Sequence, residues 1–393
     1  MHASRASGVR RGWFADGTLG SLQGCPLGTG RPAAAREHRM CANMSDSDNL
    51  IGDTTTRIFQ DLADPQTVNL AADDAWQGEL WASLEEMGWT RTWVPDELGG
   101  AGATIVDACE VLRVAGAFAV TVPLAETLIA GCALSRAGLE TPLGPLSVVP
   151  AEAGGQIEAN GTLTGTVHRV AFASRAEHLA VECENDGSVL VALVRRDACE
   201  VTPGLSLAKE PADSVCFDGA TPIATGTLSP QAPHVYPVGA AVRAMQMAGA
   251  LQAVLDISVN YATERVAFER PIGKFQAVQH NLARLAGEVA AANASANSVA
   301  FALENATTYD DGLFIEVASS KIRVGEAAHE GAMIGHQAHG AIGFTQEHIL
   351  HRYTHRLWSW RDDFGDENYW ATRLGSHFAA QGAERLWPTL TSI

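Results

Sequence analysis

Seven apolar residues, Leu282, Leu285, Val289, Ala292, Ala296, Val299 and Leu303, recur at alternating intervals of three and four. Held over about three heptads, that spacing describes a long helix whose apolar seam faces other helices. Immediately before it, residues 261–285 (YATERVAFERPIGKFQAVQHNLARL) read as the end of one helix, a tight break and the start of the next. Leu251, Val254, Leu255 and Val259 carry a helical period up to the break, and Pro271 and Gly273 interrupt it. Charged side chains (Glu264, Arg265, Glu269, Arg270, Lys274), aromatics (Phe268, Phe275) and amides (Gln276, Gln279) gather there. By composition alone the stretch reads equally as a helix corner with solvated charges.

The remainder of the chain divides by its period. Residues 1–43 are rich in Gly, Arg, Ala and Pro and show no sustained apolar repeat. Arg5, Arg10 and Arg11 are not followed by the apolar run of a targeting peptide. This segment is expected to be a disordered or mis-assigned extension, with Met44 as the start of the folded chain. Residues 44–145 read as a helical domain: Trp76, Leu80, Leu84 and Met87 share a face, Gly88 ends that helix, Pro95 and the glycines at 99–102 mark a loop, and Ile105, Ala108 and Leu112 begin another helix. Over residues 146–230 apolar and polar residues alternate, as in GSVLVALV at 187–194. Turn pairs such as Asn160-Gly161, Asp186-Gly187 and Asp218-Gly219 recur, which signals antiparallel strands. Residues 231–393 are helical again. The expected fold is α+β: an N-terminal helical domain, a middle antiparallel β-domain and a C-terminal helical bundle.

Composition narrows the function. A net charge of −18 over 393 residues argues against nucleic acid or an anionic membrane as partner. The seven cysteines form no C-x-x-C pair, as expected of reduced thiols in the cytoplasm, and no metal site is expected. Between Arg113 and Arg136 the only charge is Glu126, yet Pro123 and the threonines at 121 and 127 fit two buried helices better than a membrane span.

Three stretches carry a family resemblance. ERVAFERPIGKFQAVQH at 264–280 resembles the flavin-contacting segment of the acyl-CoA dehydrogenases. QAHGAIGFTQE at 337–347 is similar to that family's Q-x-x-G-G-x-G-F-T-x-E, and GWTRTWVPDELGGAG at 88–102 resembles its N-terminal motif. The resemblance implies a β-barrel as middle domain and a four-helix bundle at the C-terminus. It also implies FAD as cofactor, an acyl-CoA substrate, a homo- or hetero-tetramer with a related subunit, and electron-transfer flavoprotein or a similar acceptor. Arg265, Phe268 and Gln276 match cofactor positions, Arg265 that of the arginine reaching the FAD pyrophosphate, a role suited to a guanidinium. Gln337, His339, Gly340 and Ala341 match the stretch whose backbone lies against a neighbouring subunit's cofactor, with Ala341 at the family's second glycine. GTLTGTVHRVAFASR at 161–175 resembles a β-domain segment, but the family loop before it is shortened to VVPAEAGGQIEANG.

The family reaction needs a carboxylate base beside the thioester and flavin. Matching from His339 puts Phe364 at the usual base position, followed by Gly365, and matching through residues 251–256 puts Gly239 at the alternative one. Asp363 is the nearest candidate base, although a one-residue slip turns a helical side chain by about 100°; Asp362 and Asp363 read equally as a helix cap. The chain is therefore either a dehydrogenase with a displaced base or a divergent subunit that completes a partner's FAD site; a third possibility is a scaffold without flavin. A chain beginning at Met44 is expected to melt at the full chain's midpoint. A melting curve lowered by several degrees would show that the extension contributes to the fold.

Overall fold

Pro123 decides the first layer. The apolar run around it is two helices, α4 (Ile105–Ala117) and α5 (Leu124–Arg136), with Pro123 as the N-cap of the second. The computed structural model describes residues 50–391 except 72–74, 154–155, 158–160 and 186–187. The extension at 1–43 and part of the shortened loop lie outside the described residues. Ahead of α4 come α1 (residues 50–63), α2 (Pro65–Leu70) and α3 (Ala75–Glu86). Asp64 caps α2 by accepting from the Thr67 amide, and Thr104 with Asp107 forms a reciprocal capping box on α4. Leu80 and Leu84 are fully buried, whereas Met87, expected on the same face, is 48% exposed just before the left-handed Gly88.

Eight strands follow: β1 (Leu146–Val149), β2 (Gln156–Ile157), β3 (Leu163–Ala171), β4 (His178–Asn185), β5 (Ser188–Arg195), β6 (Glu200–Thr202), β7 (Ala212–Ala220) and β8 (Ala224–Leu228). The sheet order is β6-β7-β3-β2-β4-β5-β8, with β1 parallel to β4. Two details depart from the expected antiparallel barrel. Among the described residues the end strands β6 and β8 do not pair, so the sheet stays open, and β1 and β2 both run parallel to β4. The alternation along β4 and β5 gives the reason. Leu179, Val181, Cys183, Ala192 and Val194 enter a core with Val215 and Phe217, while Ala180, Val191 and Leu193 enter the helical core. Helices cover the second face, so burial does not require closure.

The C-terminal part comprises α6 (Val235–Glu264), α7 (Gln276–Asn305), α8 (Asp311–His339), α9 (Leu350–Asp362), α10 (Glu367–Gln381) and α11 (Ala383–Thr391). A two-stranded hairpin, β9 (Val266–Ala267) and β10 (Arg270–Pro271), fills the break between α6 and α7. The heptad seam lies on α7, buried from Leu285 to Leu303 with Leu282 half-buried. By length and composition α6 could cross a membrane, but 83% of its most apolar window is buried inside the protein.

Helices α4 and α6 cross with their backbones almost touching. A Cβ on Gly116 would overlap the Gln246 carbonyl, and one on Gly249 would overlap the Arg113 carbonyl. Both glycines therefore permit a close approach that no larger residue allows. Gly249→Ala is expected to lower stability by about 1–3 kcal/mol through overpacking. Gly375→Ala, in open space on α10, should raise it by up to about 1 kcal/mol through helix propensity. Denaturant midpoints of the two variants check the contrast, and a neutral Gly249→Ala would refute the crossing.

Candidate functional site

A lone arginine in the apolar α6 organises the interior. Arg243 is 4% exposed and sends Nη2 to Glu126 Oε1 on α5 at 2.7 Å, Nη1 to Gln246 Oε1 at 2.6 Å and Nε to Asp363 Oδ2 at 3.0 Å. Burial alone would push its pKa down, but Glu126 and Asp363 hold it above the usual guanidinium value. The guanidinium also lies 5.8 Å from the Trp360 ring and 5.9 Å from that of Phe364. Beside this network is a cavity of about 290 Å³ between the sheet, α5, α6 and the segment after α9. Val148, Arg169, Tyr236, Asp363 and Phe364 also line it.

Phe364, which lines this cavity, meets Gly239, the other position matched to the family base. A Cβ on Gly239 would lie 2.6 Å from the Phe364 ring, so the ring occupies the space beside the glycine. Phe364 adopts φ +54 and Gly365 φ +88, a turn held by buried donors. Lys321 Nζ donates to the Arg361 and Gly365 carbonyls at 2.7 and 2.6 Å, and Trp370 Nε1 donates to the Phe364 carbonyl at 2.9 Å. Burial lowers Lys321 to about 8. Asp363, the candidate base, lines the cavity, with Oδ2 engaged by Arg243 and Oδ1 3.9 Å from Arg169. Arg169 reaches it from a bulge in β3, where the register shifts between Val167 and Val170 and Arg169 takes φ +61.

A second buried pair lies nearby. Arg356 Nε is 2.9 Å from Glu210 Oε1, and Trp360 Nε1 donates to Glu210 Oε2 at 3.2 Å, tying the sheet side to α9. Burial raises the Glu210 pKa although Arg356 opposes it. The space lined by Arg169, Phe172, Glu210, Ser359 and Asp363 is only about 20 Å³, room for little more than a water molecule. Sequence reasoning missed Arg243, Glu210, Lys321 and Arg356, and assigned Glu126 no role. Their legible signal was a lone charge in an apolar helical run, clearest for Glu126 and Arg243.

The cofactor-matched residues lie elsewhere, on the outer surface. Arg265 is exposed at the C-cap of α6, Gln276 is exposed at the start of α7, and Gln337 is exposed near the end of α8. Phe268 stands at the hairpin tip, 89% exposed. It and Glu269 form the two-residue loop with φ +53 and +65, a geometry usually given to Asn-Gly. Left-handed backbone at non-glycine residues costs about 1–2 kcal/mol each, a strain that points to function. Gly340 has φ +65 and ψ −142, which favours glycine, and open space where a Cβ would stand. Ala341 is exposed and has no positive φ, so alanine is accommodated there without strain. His339 differs: its ring is 5% exposed and lies beneath the patch. An exposed guanidinium, two amides and a bare backbone turn suit a diphosphate-bearing ligand laid across this surface.

Five histidines, His336, His339, His348, His351 and His355, cluster behind this surface. Burial is the largest cause lowering each below the usual value, to about 4 for His336. Above about pH 6.5 both folded and unfolded chains hold these rings neutral. As pH falls toward the folded values, the unfolded chain binds protons that the folded chain refuses, so stability drops. Glu182, raised to about 7 by burial, and Glu210 act in the opposite sense, since protonation relieves their buried charge. With five groups against two, the denaturant midpoint is expected to be lower at about pH 5 than at about pH 7.5. His336→Phe, retaining the stacks on Phe344 and Trp358, should flatten part of that slope. Equal midpoints at the two pH values would refute the assignment.

Comparison with known proteins agrees with this architecture. Residues 45–141 match the acyl-CoA dehydrogenase N-terminal domain and residues 236–360 the acyl-CoA dehydrogenase C-terminal domain. The acyl-CoA dehydrogenase IpdE2 of Mycolicibacterium smegmatis is 29% identical over 317 residues, 80% of this chain and 93% of the relative. The acyl-CoA dehydrogenase FadE27 of Mycobacterium tuberculosis is 30% identical, covering 70% of this chain and 81% of the relative. Among solved structures, the ChsE4-ChsE5 complex from Mycobacterium tuberculosis contains a chain that superposes with a TM-score of 0.75. The match has 24% identity and covers 86% of this chain and 99% of that one, a likeness of fold. With both terminal domains matched and relatives aligned over most of their length, the chain belongs to the acyl-CoA dehydrogenase family.

Proposed function

We propose that this chain acts in FAD-dependent α,β-dehydrogenation of an acyl-CoA thioester as a divergent subunit, completing with its outer patch the FAD site of a related dehydrogenase subunit. The observation that carries this reading is the contact between Gly239 and Phe364: both family base positions meet, and neither holds a carboxylate. A phenyl ring accepts no proton, and a glycine has no side chain to do so. The adjacent carboxylates, Glu126 and Asp363, are both engaged by Arg243.

A bound FAD would supply the hydride acceptor. This chain's residues would hold that cofactor from the outside: Arg265 on the diphosphate, Gln276 and Gln337 as amide donors, Phe268 as an apolar platform and the Gly340–Ala341 backbone against it. The partner's side would supply the base. Electrons would leave to electron-transfer flavoprotein or a similar acceptor. One relative in fold comes from a two-component complex, and another is an electron transferring flavoprotein of Acidaminococcus fermentans at TM-score 0.71, which supports an assembly of this kind.

A second reading, a complete enzyme with Asp363 as base, draws support from its place on the cavity and its 26% exposed side chain. Dye reduction with a panel of acyl-CoAs separates the two. The chain alone should turn over little or no substrate and should gain activity when co-expressed with a related subunit. Asp363→Asn should leave that activity nearly unchanged while lowering the melting midpoint, because Arg243 loses a partner. Robust turnover by the isolated chain, reduced about 10²–10⁴-fold by Asp363→Asn, would establish the displaced base instead.

A further inference from the structure

The outer patch is assembled from two segments far apart in sequence, the end of α6 with its hairpin and the end of α8. At the surface Asn281 Nδ2 reaches Gln337 Oε1 at only 3.4 Å. Beneath it the join is closer. The Tyr261 ring stacks on the His339 imidazole with centroids 4.4 Å apart and planes 27° from parallel. His348 closes the group edge-on, 6.0 Å from Tyr261 and 4.6 Å from His339.

Each stacked residue sits next to one that faces outward. Tyr261 lies one helical turn before Arg265, and the Arg265 amide donates to the Tyr261 carbonyl at 2.8 Å. The Arg265 carbonyl in turn accepts from the Ile272 amide at 2.8 Å, which fixes the base of the hairpin that carries Phe268. His339 directly precedes Gly340, where the backbone turns to positive φ. His339 Nδ1 lies 2.8 Å from the Gly335 carbonyl, so that nitrogen carries the proton and donates. Its Nε2 is buried without a hydrogen-bond partner, so the ring is held by packing and that one bond.

We infer that Tyr261 and His339 are positioning residues: their stack sets the spacing between Arg265 and the Gln337–Ala341 segment, and so the affinity of the assembled cofactor site. The inference rests on the reading that this patch holds FAD. A ligand bridging two helix ends binds more tightly when those ends are already fixed relative to each other, because less ordering remains to be done on binding. Without the stack, the two ends are joined by packing deeper in the bundle, since the Asn281–Gln337 contact ties α8 to α7.

The test is the flavin content and FAD dissociation constant of the assembly as purified, measured by absorbance and by titration of the flavin-stripped protein. Tyr261→Leu keeps apolar volume and removes the stack; it should weaken FAD binding roughly 3–10-fold. Tyr261→Phe keeps the ring and should restore parental affinity. His339→Leu attacks the stack from the other side and should reproduce the Tyr261→Leu loss, and it decides the matter if Tyr261→Leu fails to fold. Arg265→Ala separates the inference from the reading beneath it and should weaken retention roughly 10–100-fold. An assembly without flavin, or one whose affinity Arg265→Ala leaves unchanged, overturns the FAD reading and the positioning role with it. Loss of affinity in Arg265→Ala alongside parental affinity in the folded Tyr261→Leu or His339→Leu variant overturns the positioning role alone.

Discussion

A guanidinium buried in an apolar helix must be neutralised where it stands, and much of this protein's interior follows from that demand. Arg243 needs carboxylates within reach, and they come from α5 as Glu126 and from the end of α9 as Asp363. An uncompensated charge at that depth would cost several kcal/mol, so the three elements are locked in one arrangement. The lock fixes where the segment after α9 can turn. Lys321 then holds the carbonyls of Arg361 and Gly365, and the Phe364 ring is delivered onto Gly239. A second pair, Arg356 with Glu210, draws the sheet side onto α9.

These pairs account for the chemical character of the inward face. Its charges answer one another beside a cavity of about 290 Å³, and the second space, next to Glu210, is only about 20 Å³. The outward face has the opposite character. Arg265, Phe268, Gln276 and Gln337 are exposed, and the hairpin tip holds two non-glycine residues at positive φ. Within this chain the turn gains only the edge-on contact of Phe268 with Phe275, and strain at an exposed turn is repaid at a ligand or subunit contact. The inward charges are paired with one another, whereas the polar groups of the outer patch are open to a ligand, and that contrast supports assigning function to the outside.

Much of this was legible in the sequence. The three-and-four spacing from Leu282 to Leu303 determined α7, because a helix is the one structure that brings those positions onto a single face. Pro123 divided the apolar run into α4 and α5, since proline supplies no amide to a continuing helix. The motif around Arg265 and the one beginning at Gln337 singled out residues that the fold leaves exposed, His339 excepted. That the two positions matched to the family base, Gly239 and Phe364, hold no carboxylate is a matter of residue identity.

What only the tertiary structure decided are the relations between distant segments. Glu126 appeared in sequence as an isolated charge weighed against a membrane span; that it answers Arg243 depends on α5 lying against α6. The sheet stays open because helices cover its second face, a fact of packing that strand patterns do not encode. Gly239 and Phe364 lie far apart in sequence and meet ring to backbone only because the Arg243 ion pair and the Lys321 hydrogen bonds place the turn after α9. Tyr261 lies just before one motif and His339 within another, and no local pattern says that their rings stack. Periodicity reports what one segment buries, while the partner it is buried against is set by the whole fold.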